Sequence, residues 1–121
     1  MSSESFEPIF IQIKEKIKDE IMSGVYETDE LIISTTQIAK LYSVNPATAV
    51  KSVSMLTDEG IVYKRRGIGM CVSDGAKEKI IAQRKVQFYE KTVKKTVSEA
   101  KKLKISKAEL IKIITEVSDY D

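Results

Sequence analysis

The sequence predicts a mainly α fold with one small β-hairpin, and three observations predict it. Isoleucine recurs every four residues at Ile9, Ile13, Ile17 and Ile21, which places all four on one face of a helix. Two short helical patterns, 34–42 and 46–59, are separated by the three residues "SVN". The segments "IVYKRR" and "GMCV" alternate like strands and meet across Gly67-Ile68-Gly69.

Each element has a local reason. In "PIFIQIKEKIKDEIMSG", Pro8 suits the first helical turn and Gly24 the C-terminal stop. "VYETDELIIS" is a loop that closes in a short apolar strand, Leu31 to Ile33. Ser34 then opens a second helix with the spacing of a capping box, Ser34-Thr-Thr-Gln37, whose ends can satisfy each other's orphan backbone donors. Ile38, Leu41 and Tyr42 are its expected buried side. Asn45 is a favoured N-cap and Pro46 a favoured first residue for the third helix. Ala49, Val50, Val53 and Leu56 mark its expected inner face, and Gly60 ends it. Two such helices joined by three residues form a helix-turn-helix pattern, and the basic hairpin that follows makes it a winged helix.

From Ala76 the character changes. Val86, Tyr89, Val93, Val97, Ala100 and Leu103 recur at spacings of three and four on a Lys-rich helix of about 25 residues. "SKAE", Ser106 to Glu109, is a second capping box that opens a last short helix with Leu110, Ile113, Ile114 and Val117 on one side. Two helices alone bury two apolar faces poorly, and a partner chain solves that. The expected organisation is therefore a winged helix-turn-helix domain at 6–74 and a helical dimerisation segment at 75–121. Val86, Tyr89, Val93, Val97, Ala100, Leu103, Leu110 and Ile114 are the candidate contacts with a second copy.

Composition narrows the function classes. The 121 residues include no histidine and one cysteine, Cys71, so histidine-based catalysis, histidine metal ligation and an intrachain disulfide are excluded. No nucleophile, base and orienter can be assembled, so neither an enzyme nor a cofactor or metal site is expected. Cys71, between Met70 and Val72, reads as a small buried hydrophobe. "MSSESFEPIF" has neither a basic nor an apolar leader region, and no apolar run approaches a membrane span. A cytoplasmic location is expected. The net charge of +2 decides nothing, but within 34–73 Lys40, Lys51, Lys64, Arg65 and Arg66 face only Asp58 and Glu59.

That local excess sits where a winged helix meets DNA. At the start of the third helix, Asn45, Pro46, Ala47, Thr48 and Lys51 face base edges and phosphates: Thr48 offers a hydroxyl, Ala47 a methyl-sized contact, Lys51 a cation. Lys64, Arg65 and Arg66 would neutralise phosphates, and Gly67 would let the wing backbone enter a minor groove. The start of the second helix, Ser34, Thr35 and Thr36, completes the candidate DNA-binding set.

From residue 8 to residue 72, "PIFIQIKEKIKDEIMSGVYETDELI" and "IAKLYSVNPATAVKSVSMLTDEGIVYKRRGIGMCV" resemble the GntR family of bacterial winged-helix regulators, in order and in spacing. "VNPAT…L…EGIVYKRRGIG" resembles its YtrA-like branch, whose short C-terminal part is a pair of dimerising helices. The resemblance implies a homodimer that binds double-stranded DNA at a two-fold operator and regulates transcription, by family habit as a repressor. It leaves room for a small-molecule effector. Ile33, Thr36 and Pro46 stand where many members carry proline, arginine and arginine, and Cys71 stands where an aromatic residue usually closes the wing. The reading from a different class is a winged-helix protein-interaction module without specific DNA binding.

Overall fold

Helix α1 spans Ile9–Met22, with Pro8 as its N-cap and Gly24 at φ +87° just past its end. Its isoleucine stripe does what the spacing predicts: Ile13, Ile17 and Ile21 are buried and Ile9 packs at the edge of the core. The computed structural model describes residues 7–117. The expected domain start at residue 6 and the last four residues of the expected C-terminal segment lie outside them.

Helix α2 (Thr35–Tyr42) opens on the capping box, with the Gln37 N–H donating to Ser34 Oγ at 3.1 Å and the Ser34 N–H to Gln37 Oε1 at 3.0 Å. Helix α3 (Pro46–Asp58) starts at Asn45, whose side-chain oxygen accepts from the Ala47 N–H at 2.8 Å. The turn between them passes through Ser43 at φ +53°, a left-handed conformation uncommon outside glycine and asparagine.

Two expected core positions are outside. Leu41 is 68% and Val50 50% exposed, while Ser52 is fully buried on α3. The side of α3 that carries Ser52 faces α1, and the Ser52 hydroxyl lies 3.0 Å from the Phe10 carbonyl and 3.1 Å from the Thr48 carbonyl. A serine so satisfied is no worse in the core than a small apolar residue. The expected inner face of α3 is therefore rotated from Val50 toward Ser52.

Strands β1 (Val62–Arg65) and β2 (Gly69–Val72) pair antiparallel, with Tyr63 opposite Cys71 and Arg65 opposite Gly69. The strand expected at Leu31–Ile33 is reduced to a single bridge, Leu31 opposite Cys71. The Ile32 N–H still donates to the Met70 carbonyl at 2.9 Å, and the Asp29 N–H to the Val72 carbonyl at 2.8 Å. Asp29 at φ +68° bends this edge too sharply for a regular strand. Cys71 is buried, as its neighbours suggested.

A charged cluster locks α1 to the end of α3. Lys18, with its side chain only 3% exposed, places Nζ 2.7 Å from Glu59 Oε1 and 3.2 Å from Glu15 Oε2. Lys14 reaches the other Glu59 oxygen at 2.9 Å. Burial raises the Glu59 pKa, but hydrogen bonds and charge from Lys18 and Lys14 outweigh it, leaving the carboxyl below its ordinary value.

The chain forms two compact units, Met1–Ile81 and Ala82–Asp121, so the division falls inside helix α4 (Ala76–Gln87). Ala76 and Ile80 are buried in the first unit with Ile61, Val62 and Val72. Lys79 also donates to the Gly60 carbonyl at 3.1 Å. After Gln87 the helical backbone continues through a π-helical stretch, Phe88–Val93, into α5 (Lys94–Lys102). The long helix is thus present but widened in the middle. Lys94 there reaches Glu90 at 2.7 Å, four residues back, and stacks 5.2 Å from the Tyr89 ring, five residues back. The wider turn accommodates both spacings. Helix α6 (Lys107–Glu116) opens on half of the expected capping box: the Glu109 N–H donates to Ser106 Oγ at 3.1 Å, without a return bond from the Ser106 N–H to the Glu109 side chain.

Candidate nucleic-acid interface

Local chemistry positions each candidate group. The capping box leaves Ser34 and Thr36 exposed and Thr35 half-buried at the N-terminal end of α2, where unpaired N–H groups and the helix dipole favour an anion. Pro46 at the first position of α3 fixes the entry angle, so Asn45, Pro46, Ala47 and Lys51 are exposed and Thr48 half-buried. The wing turns on the Ile68 N–H donating to the Arg65 carbonyl at 2.9 Å, with Gly67 at φ +78° in the third place, where a type II turn takes glycine. No atom lies within 4 Å of where a Gly67 Cβ would stand, so the tip is open.

These segments adjoin at the start of α2. A cleft of about 220 Å³ is lined by Ser34, Thr35 and Gln37 on one side and by Ile68, Gly69 and Met70 of the wing on the other. A second, of about 340 Å³, is lined by Thr35, Thr36, Lys40 and Pro46. Thr35 borders both. The first turn of α2 therefore faces the wing loop across one cleft and the start of α3 across the other, and three segments separated in sequence border one surface.

The three wing cations do not act as one patch. Successive strand residues face opposite sides, so Arg65 shares the face of Tyr63. The Tyr63 hydroxyl donates to Asp29 Oδ1 at 2.7 Å, and Arg65 Nη1 leans toward the Asp29 carbonyl at 3.4 Å. That hydrogen bond to a carboxylate raises the Tyr63 hydroxyl pKa. Lys64 and Arg66 are exposed and have no hydrogen-bond or ion-pair partner among the described residues. Gly69 sits at φ +135°, a conformation that L side chains rarely adopt, so the backbone itself favours glycine where the wing returns past the loop; a Cβ there would also come 2.8 Å from the movable end of the Leu31 side chain.

Asp29 and Phe10 are contributors that sequence reasoning missed. Asp29 holds the face of β1 that carries Tyr63 and Arg65. The Phe10 ring lies under the Lys51 ammonium, 4.0 Å from ring centroid to Nζ. Neither contact has a local signature, because each joins residues more than thirty positions apart.

In the second unit, most of the candidate dimer contacts are uncovered. Val86, Tyr89, Val97, Leu103 and Ile114 are exposed, and Val93 and Leu110 are half-buried. Ala100 is covered within its own chain, where it lines a cleft of about 440 Å³ with Val97, Ile105 and Leu110. Among the described residues, no helix is long and apolar enough to cross a membrane.

Comparison with known proteins gives a consistent picture. Residues 11–72 match the family model described as bacterial regulatory proteins, gntR family. The chain is 26% identical over 111 residues to the HTH-type transcriptional repressor YtrA of Bacillus subtilis, covering 92% of this chain and 85% of that one. A solved GntR-family regulator from Bacteroides thetaiotaomicron superimposes with a TM-score of 0.74 at 35% identity, covering 90% of this chain and 95% of that one. The AraR DNA-binding domain in complex with operator ORR3 matches 60% of this chain and 88% of its own, with a TM-score of 0.54 and 27% identity.

Proposed function

Given that the chain belongs to the gntR family of bacterial regulatory proteins, we propose that it is a sequence-specific DNA-binding transcription repressor acting as a homodimer on a two-fold operator. The observation that carries this reading is the meeting of three exposed segments at the first turn of α2, with the unpaired cations Lys64 and Arg66 on the wing. A relative with a matching fold has been solved on operator DNA, which favours this reading over a protein-interaction module.

The start of α3 enters the major groove, with Thr48 and Lys51 nearest the bases and Asn45, Pro46 and Ala47 against the strand edge. Ser34, Thr35 and Thr36 offer backbone N–H groups and hydroxyls to a phosphate. Lys64 and Arg66 neutralise phosphates beside the groove, while Gly67 brings the wing backbone close. Arg65, drawn toward Asp29, contributes less. Residues 6–74 meet DNA in this scheme and residues 75–121 hold the second copy through the uncovered apolar positions of α4 to α6. The site is that of a soluble cytoplasmic regulator, with no catalytic role.

The test is a salt series of binding to the chain's own upstream region and to a random duplex, read by fluorescence anisotropy. Each lost phosphate contact flattens the log K against log salt slope by about 0.9, so Arg66→Ala in a dimer should flatten it by roughly 1.8. It should weaken both duplexes by similar factors. Thr48→Ala should weaken the upstream region more than the random duplex. An unchanged slope and affinity in Arg66→Ala would make the wing a merely solvated hairpin and bring the protein-interaction reading forward.

A further inference from the structure

We propose that Phe10, on α1, positions Lys51 of α3 for its contact with DNA. The inference rests on the DNA-binding reading and adds a residue outside the helix-turn-helix and the wing. The Lys51 ammonium sits 4.0 Å from the centroid of the Phe10 ring, close enough for the ring's negative face to hold it. Lys51 has no carboxylate partner among the described residues. Glu59, the acidic group between α1 and α3, is already engaged by Lys14 and Lys18.

The backbone that carries the ring is itself held in place. The buried Ser52 hydroxyl, one residue along α3, lies 3.0 Å from the Phe10 carbonyl. Adjacent residues of α3 therefore grip the backbone and the side chain of the same α1 residue. A lysine normally samples many rotamers, and ordering it on binding carries an entropic penalty. A ring that restrains the stem and keeps the charge removes part of that penalty beforehand, and a π face leaves ammonium N–H groups free for phosphate or guanine. Phe10 touches no DNA in this scheme; it acts through Lys51.

The experiment is a double-mutant cycle on the full chain, with anisotropy titrations of a 30-base-pair random duplex across a salt series. Phe10→Leu should weaken binding by about two- to five-fold per subunit with the salt slope unchanged, because Lys51 still brings its charge to the DNA. Lys51→Gln should weaken binding and flatten the slope. Adding Phe10→Leu to Lys51→Gln should have no further effect, and Phe10→Tyr, which keeps the ring, should bind like the unaltered chain. In the free protein, NMR should show the Lys51 ε-methylene protons shifted upfield by the ring, and returned to the ordinary lysine position in Phe10→Leu. Equal losses from Phe10→Leu in both backgrounds, or tighter binding, would overturn the positioning role while DNA binding stands. If the unaltered chain shows no salt-dependent binding, the DNA reading fails and this one fails with it; the upfield shift then identifies the contact as structural. Circular dichroism on every variant separates these outcomes from misfolding.

Discussion

Glu59→Gln tests how the scaffold under the interface is held. The substitution keeps the shape of the side chain and removes the charge that Lys18 and Lys14 face at 2.7 and 2.9 Å. Breaking a fully buried ion pair costs about 3–5 kcal/mol, because the remaining charge is left without compensation. Here Glu59 keeps 23% of its side-chain exposure and Glu15 remains 3.2 Å from Lys18. The expected loss is therefore about half that range, roughly 2 kcal/mol. In a domain of this size that lowers Tm by about 8–16 °C.

Thermal melts followed by far-ultraviolet circular dichroism at pH 7 measure it directly. The pH dependence adds a second reading. The folded Glu59 pKa lies below the ordinary 4.5, so the unfolded chain binds the proton more readily. The contribution is fully present above the ordinary value and is lost as pH falls through the depressed one. Unaltered protein should approach the stability of Glu59→Gln on that acid limb, while the two remain apart at neutral pH. A neutral-pH difference below about 0.5 kcal/mol would refute the argument, since that is the range of an exposed surface pair.

Two further outcomes test the wing and the second unit. Gly69→Ala should destabilise by about 1–3 kcal/mol because its φ of +135° is open only to glycine, whereas Gly67→Ala, at φ +78° with empty space around it, should cost about 1 kcal/mol; the reverse order in denaturant melts would contradict this account of the turn. The full chain should sediment at twice its 13.6 kDa mass at micromolar concentration, and a chain ending after Gln87, which keeps Ala76 and Ile80 in the core, should sediment as a folded monomer; a monomeric full chain would overturn the dimer.

What the sequence determined by itself was local. Ser34-Thr-Thr-Gln37, Asn45-Pro46 and Ser106-Lys-Ala-Glu109 are caps made within four residues; the first two form as their spacing requires, and of the third only the Ser106 side-chain cap forms. The isoleucine stripe of α1 was equally legible, because a strong period survives any choice of neighbour. The wing was readable from its glycines and alternation: β2 matches the run that suggested it, and β1 is shorter than its run by one residue at each end. The helix starts and the turn tip that make up the candidate interface were legible for the same reason, although no local pattern pointed to Asp29 or Phe10.

Tertiary structure decided which sides those elements present. Val50 and Leu41 match an apolar pattern, yet α1 approaches α3 from the side of Ser52 and leaves Val50 half exposed. Periodicity gives a helix one apolar stripe but not the direction from which its neighbour arrives. Lys18 shows the same limit: nothing in "KEKIKDE" distinguishes the lysine that is buried from those in water until Glu59 arrives from 41 positions away. Ile80 joined the first core rather than the second unit because α4 packs beside Ile61 and Val72, a contact that composition could not reveal. The Phe10 ring beneath Lys51 and the place of Asp29 behind the wing belong to this class too. Each depends on long-range docking, whose free energy comes from buried area and satisfied polar groups rather than from any short run of residues.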